Sequence, residues 1–225
     1  MIKKFMFLLF ISLSLANTAL PAATTSHNAQ LSLKQDSILS RFLDAAKYNE
    51  SKKIKIYIQF LKAENISIDR LGKFGESALH IAAENGHTEM VKILLDAGAS
   101  PEALTREGLT PLHYAANCAI MQLLLDRHVN IEAVDKHGKT PLHCAALRGR
   151  VECLQLLLNN NANPNVLTTL QQTPLHFAAA RKDGAECVTK LLAAGADKDL
   201  QDFSGKTTFE IAAWHQHKLV MRALR

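Results

Sequence analysis

The sequence lacks the motifs that mark most enzymes. It holds no His-Glu-x-x-His run and no Gly-rich loop matching a phosphate cradle, and Ser204 lies in no nucleophile elbow. Charge of one sign is also scarce. The formal net charge is +5 over 225 residues, and Lys3 and Lys4 supply two of those positive charges, leaving +3 without them. Charge this weak and dispersed argues against a nucleic-acid partner. No small-molecule substrate and no cofactor is expected. The balance of 48% hydrophobic and 21% charged residues suits one extended soluble domain.

What the sequence does have is repetition. A four-residue signal reads Ser77-Ala78-Leu79-His80, then Thr110-Pro111-Leu112-His113, Thr140-Pro141-Leu142-His143 and Thr173-Pro174-Leu175-His176, with a worn copy at Thr207-Thr208-Phe209-Glu210. Successive copies start 33, 30, 33 and 34 residues apart. An alanine pair follows each at one offset: Ala82-Ala83, Ala115-Ala116, Ala145-Ala146, Ala178-Ala179 and Ala212-Ala213. Such a period predicts a stack of supersecondary units rather than one enclosed core. Thr can cap a helix with its hydroxyl, Pro suits the first helical position, and Leu begins the buried stripe. The alanines fit where helices approach closely. Gly75, Gly108, Gly138 and Gly205, two residues ahead of most caps, suit a tight turn.

On these residues the chain, over roughly residues 65–225, resembles the ankyrin-repeat family. The resemblance implies an all-α solenoid of helix-turn-helix units with short β-hairpin loops. It implies that His80, His113, His143 and His176, with Thr110 and Pro111, are structural and lock each hairpin turn to its helix. It also implies that the concave face, built from hairpin tips and first-helix exteriors, binds a partner protein.

In chain order, Lys3 and Lys4 precede an apolar run from Phe5 to Leu15, then small residues through Ala23. That is the order of a secretory signal peptide over residues 1–23. The run is short for a span of about 20 residues. An exported protein, periplasmic or secreted, is therefore expected. The alternative is a membrane-tethered adaptor that keeps this segment, and membrane contact is expected only in that case. Residues 24–36 are polar and without period, and are expected to be a flexible leader. A helical pattern begins near Ser37, so 37–72 is expected to be a degenerate N-terminal capping repeat. Units follow at 73–105, 106–135, 136–168 and 169–202, with a C-terminal capping repeat at 203–225.

The unit at 106–135 is three residues shorter than its neighbours, around Ala116-Asn117-Cys118-Ala119. A shortened first helix or a tighter inter-helix turn is expected there, as a harmless deletion or a functional notch. In the unit at 169–202, Gln171 replaces the turn glycine, and one extra residue falls around Arg181-Lys182-Asp183-Gly184.

Histidines and cysteines invite a metal or redox reading. Equivalent histidines one repeat apart sit about 8–10 Å from each other, whereas zinc holds its ligands at about 2 Å. His215 and His217, two apart, would face different sides of a helix. No metal site is expected. Cys144, Cys153 and Cys187 align with apolar slots in other units, so the four cysteines, Cys118 included, are expected to be free, buried thiols. Cys144–Cys153 is the one pairing that spacing within a helix pair permits.

Surface positions remain, and the family's groove carries over to them unit by unit. The partner-binding set is Leu71, Lys73, Phe74, Glu76, Leu104, Arg106, Leu109, Val134, Lys136, His137, Lys139, Leu147, Arg148, Leu170, Phe203, Lys206 and Trp214. Leu167 aligns with Leu71, Leu104 and Val134. Apolar anchors edged by Lys and Arg suit a protein groove. Trp214 could instead plug the C-terminal end of the stack. The function read from the sequence is non-enzymatic recognition of a protein by a monomer.

Overall fold

The computed structural model describes residues 27–225 apart from Arg70, Lys73 and Phe74, with side chains described from Asp36 onward. The expected signal peptide, and Lys73 and Phe74 of the expected groove, lie outside the described residues. The chain divides into Met1–Ser37 and Ile38–Arg225. Of the first unit, the described residues are the opening turns of one helix.

Twelve α-helices are present among the described residues: α1 (His27–Lys47), α2 (Ser51–Ala63), α3 (Ala78–Glu84), α4 (Thr88–Asp96), α5 (Pro111–Tyr114), α6 (Cys118–Leu125), α7 (Pro141–Arg148), α8 (Val151–Asn159), α9 (Pro174–Ala179), α10 (Ala185–Ala193), α11 (Thr208–Trp214) and α12 (Lys218–Ala223). Helix α1 begins at His27, ten residues before Ser37, so the stretch expected to be a flexible leader is helical from that point. No Pro or Gly interrupts residues 27–47, and Gln30, Leu31, Leu33, Lys34 and Gln35 are good helix formers.

Helices α3, α5, α7, α9 and α11 stack as an inner layer, and α2, α4, α6, α8, α10 and α12 as an outer one. The sequence signal explains both. Thr110, Thr140 and Thr173 hold extended φ/ψ at the cap, and Pro111, Pro141 and Pro174 occupy the first helical turn. Leu79, Leu112, Leu142 and Leu175 are buried in the inner layer, beside Ala82, Ala115, Ala145 and Ala178. Alanine's single methyl lets the two layers close onto Leu94, Leu124, Leu157 and Leu191 from the outer helices, all fully buried. Burying each of these leucines contributes about 1.5–3 kcal/mol.

The loops between units are hairpin turns, each closed across its ends by a backbone bond: Gly72 N–H to Glu76 O, Thr105 to Leu109, Asp135 to Lys139, Thr168 to Gln172 and Asp202 to Lys206, at 2.9–3.0 Å, with a second bond returning to the first residue of each. Among the described residues they form no strand, only an isolated bridge between Gln201 and Thr207.

The short unit is short in its first helix. Helix α5 has four residues, and Ala115 leaves helical geometry at φ −43°, ψ 109°. The ended helix exposes carbonyls that a longer helix would have used. The next unit covers them. Arg148 Nη1 donates to His113 O at 2.6 Å, and Arg150 Nη1 donates to Ala115 O at 2.5 Å and Tyr114 O at 3.5 Å. Asn117 restarts the chain, its Oδ1 accepting from Ile120 N at 2.9 Å to cap α6. The preceding unit holds the same junction through Ala116 N–H to Ala83 O at 3.0 Å.

In the unit with the extra residue, Gln171 takes φ +55° where its counterparts are glycine. Gly184 ends the insertion, and a Cβ there would stand 1.9 Å from Ala178 O. That is backbone, so the clash cannot be relieved by a rotamer.

Two stability predictions follow from these junctions. Gly184→Ala is expected to destabilise by at least about 2 kcal/mol. Gly98→Ala, where a Cβ meets nothing within 4 Å but φ is +97°, should cost only about 1–2 kcal/mol of strain. Urea midpoints order the two. Arg150→Ala is expected to cost about 2–3 kcal/mol by stripping buried carbonyls of a charged donor. Lys136→Ala, which breaks only an exposed ion pair with Glu107, should cost under about 1 kcal/mol; equal costs would contradict the capping role.

Candidate protein-binding face

Each imidazole of the repeat signal works at both nitrogens. In three units the cap threonine donates its N–H to the histidine three residues on: Thr110 to His113 Nδ1, Thr140 to His143 Nδ1 and Thr173 to His176 Nδ1, each at 3.1 Å. Ser77 does the same to His80 at 3.2 Å. A backbone N–H can only donate, so Nδ1 is bare and Nε2 carries the proton. The cap hydroxyls lie 2.8–2.9 Å from Nδ1 and also face the backbone N–H of the same histidine, completing a capping box in each unit. Nε2 then donates onward to the next hairpin: His80 to Leu109 O, His113 to Lys139 O, His143 to Gln172 O and His176 to Lys206 O, at 3.0–3.3 Å. The imidazole therefore ties its own turn to the following unit.

The last copy replaces histidine with Glu210. Its Oε2 accepts from Thr207 N at 2.8 Å and from Thr207 Oγ1 at 2.9 Å. A carboxylate reproduces the two accepted bonds and donates none onward. Those bonds, the backbone one first, hold its carboxyl below the usual range.

The hairpins held by these histidines are further fixed from within. Asp135 Oδ1 accepts from His137 N and Lys139 N at 2.8 Å, and Asp202 Oδ1 from Ser204 N and Lys206 N at 2.8 and 3.0 Å. Thr105 and Thr168 close theirs with Oγ1. Successive tips are also joined: Lys136 N–H donates to Glu107 O, Thr169 N–H to His137 O and Phe203 N–H to Leu170 O, at 2.9–3.0 Å. The four tips from Arg106 to Phe203 are thus one hydrogen-bonded strip.

Four of the five hairpins carry an exposed aliphatic residue ahead of the closing pair, Leu71 at 39%, Leu104 at 56%, Val134 at 53% and Leu167 at 48%, and the fifth carries Gln201. Leu147 and Leu170 are exposed as well, and Phe203 and Trp214 each stand 75% exposed. Lys206 Nζ lies 4.5 Å from the Trp214 ring centroid, a cation–π pair on the surface. Trp214 is thus solvent-facing rather than a plug. Arg106, Lys136 and His137 are exposed on the tips, and Glu76 is half-buried.

Several members of the expected set have other duties. Leu109 is half-buried, its N–H bound by Thr105 and its carbonyl by His80. Lys139 leans on buried Asp135 at 3.6 Å. Arg148 is the donor to α5 described above. His215 and His217 do not diverge: one ends α11, the other precedes α12, and their rings stack at 5.3 Å. No His, Cys, Asp or Glu grouping able to hold a metal occurs among the described residues. No helix among them is long and apolar enough to cross a membrane.

All four cysteines are free, and Cys118 is half-exposed while the other three are buried. The neighbour of Cys153 is Cys118, with the sulfurs 3.1 Å apart, and not Cys144 as helix-pair spacing suggested. Comparing only equivalent positions missed this pair, because the first residue of α6 meets the third residue of α8.

Burial pushes the imidazoles down from an ordinary 6.5, to about 4 for His80 and His143, and in the same direction for His113 and His176. The folded value lies below the unfolded one. Their contribution to stability is therefore complete above about pH 6.5 and lost as the pH falls towards 4. Across that window His80 and His143 should each remove about 1.4 kcal/mol per pH unit. Urea midpoints at pH 7.5 and pH 5 check this, and an unchanged midpoint would show the imidazoles are not held neutral.

Family models described as ankyrin repeats match residues 42–135, 107–168 and 161–212. The chain is 40% identical over 73 residues to mouse protein phosphatase 1 regulatory subunit 12A, covering 32% of this chain and 7% of that protein. It is 41% identical over 70 residues to human ankyrin repeat and SOCS box protein 3, covering 31% and 13%. It is 36% identical over 85 residues to the bovine inactive serine/threonine-protein kinase TEX14, covering 38% and 5%. The similarity to each spans a small fraction of that relative. With most of its length matched by the repeat models, and with the stacked helix pairs and hairpins those repeats require, this chain belongs to the ankyrin-repeat family.

Proposed function

We propose that this chain is a non-enzymatic scaffold that leaves the cytoplasm by its N-terminal segment and holds a partner protein on its hairpin face. The observation that carries the docking reading is the exposed aliphatic position shared by four successive hairpins, Leu71, Leu104, Val134 and Leu167. Aromatic anchors at Phe203 and Trp214 extend it, and Arg106, Lys136 and Lys206 edge it with positive charge. Because backbone bonds already join the tips, docking orders little chain and loses little entropy. That some relatives are named as regulatory or inactive proteins is consistent with a recognition role.

The test is a pull-down from the native source with residues 24–225, run beside the triple variant Leu104→Asp, Val134→Asp, Leu167→Asp. Retention of a partner is expected to fall at least about tenfold in the variant, the loss of three buried anchors. Its thermal midpoint should stay within about 4 °C, because surface changes are small. Equal retention would move the binding surface elsewhere. Mass spectrometry of the mature N-terminus tests export: a terminus between Thr18 and Thr25 supports cleavage, and an intact Met1 in the membrane fraction supports the tethered alternative.

A further inference from the structure

The two sulfurs nearest each other belong to different units. Cys118 opens α6 in the shortened unit, Cys153 sits one turn into α8 of the next, and their Sγ atoms stand 3.1 Å apart. At the corresponding crossings the first and third outer-helix residues are Thr88 with Ile120, and Val151 with Cys187. Only the crossing beside the shortened helix carries two thiols. A disulfide closes at about 2.05 Å, so the sulfurs need approach by only about 1 Å.

The pair is also unequal in the way a stepwise oxidation requires. Cys153 is buried, 3% exposed, whereas Cys118 is half-exposed and lines a surface groove of about 560 Å³ bordered by Gln122, Glu152, Gln155 and Lys190. Burial, with the contact to Cys118, pushes the Cys153 thiol up to about 12. The first attack on an oxidant therefore falls to the accessible sulfur. Cys144 and Cys187 are buried, their thiols are likewise raised by burial, and no sulfur partner lies beside them among the described residues.

We propose that Cys118 and Cys153 form a disulfide clamp fastening the shortened unit to its C-terminal neighbour, with a small-molecule disulfide of the glutathione class as oxidant. The Cys118 thiolate attacks one sulfur of oxidised glutathione, forming a mixed disulfide and releasing one glutathione thiolate, which takes up a proton. Cys153 then gives its proton to solvent, and its sulfur attacks Cys118 Sγ. That step breaks the Cys118–glutathione bond and releases the second glutathione. Two protein thiols are oxidised, and one glutathione disulfide is reduced to two thiols. The clamp restrains the one unit whose first helix is cut to four residues. It acts on the outer helices, while the arginine caps act on the inner ones. It stands independently of the docking face.

The test oxidises the full chain with oxidised glutathione, alkylates it after denaturation, and maps its peptides. Two of the four cysteines should escape alkylation, in a Cys118–Cys153 linked peptide lighter by two hydrogens. The thermal midpoint should rise by about 5 °C over the reduced form. Cys118→Ser, at a half-exposed position, should match the reduced wild type in midpoint and gain neither link nor increment. Cys153→Ser should trap glutathione on Cys118. If that variant folds poorly, Cys118→Ser alone carries the test. A wild-type chain that keeps glutathione on Cys118, links through Cys144 or Cys187 instead, or forms the link with no rise in midpoint overturns the clamp.

Discussion

A neutral imidazole is the one side chain that can do what this stack asks at four successive positions. It must accept a hydrogen bond from its own cap and donate one to the next unit, from opposite edges of a rigid ring. The distance between its two nitrogens thereby becomes part of the repeat geometry. Protonation destroys the acceptor, so a charged ring would cut the turn loose while stranding a buried cation. Burial keeps His80 and His143 neutral and so preserves the acceptor, outweighing the onward bonds to Leu109 O and Gln172 O, which favour the charged ring. Glu210 shows the rule from its edge: where a cap needs only an acceptor, a carboxylate replaces the ring.

A second set of bonds runs the opposite way. Residues at or beside the start of the outer helices reach back to the preceding unit: His87 Nε2 to Lys47 O, Asn117 Nδ2 to Gly86 O, Arg150 to Ala115 O, Arg181 to Leu147 O and His217 Nδ1 to Ala179 O. The acceptors are carbonyls near the ends of helices or in the turns after them, where backbone bonding runs out. Reach varies with the gap. A short Asn serves where the chain has lost three residues, and a long Arg serves where the preceding helix stops after one turn. Units in a solenoid contact only their neighbours, so each irregularity must be absorbed at its own two interfaces.

Local rules account for most of what the sequence made legible. Thr-Pro-Leu-His placed the inner helices to within a residue at Pro111, Pro141 and Pro174, because cap, first turn and core stripe are all short-range. The three-residue deficit indicated a shortened helix or a tighter inter-helix turn by simple counting, and the structure takes the first. The compensation could not be counted. Arg148, Arg150 and the Cys118–Cys153 approach depend on side chains crossing some 35 residues of sequence. Repeat alignment pairs equivalent positions, whereas these contacts join non-equivalent ones. Leu109 carries a duty that alignment does not reveal for a related reason: the residue before a cap sits where the preceding histidine needs its carbonyl. Helix α1 extended past its pattern because amphipathic spacing marks where a helix packs, and propensity alone can carry it further.

The hairpins separate backbone duty from side-chain freedom. Asp135, Asp202, Thr105 and Thr168 fix the turns with oxygen atoms, the histidines fix them from behind, and tip-to-tip amides join them into a strip. None of these bonds uses the side chains of Leu71, Leu104, Val134 or Leu167. At an exposed position without a folding role, polar residues would keep the chain more soluble, and a single leucine there means little. Four aliphatic residues at one register position each keep 39–56% of their surface exposed, so the stack covers only about half of each. Exposed apolar surface held in a fixed arrangement gains by being covered, and a partner surface is what could cover it without refolding the units beneath.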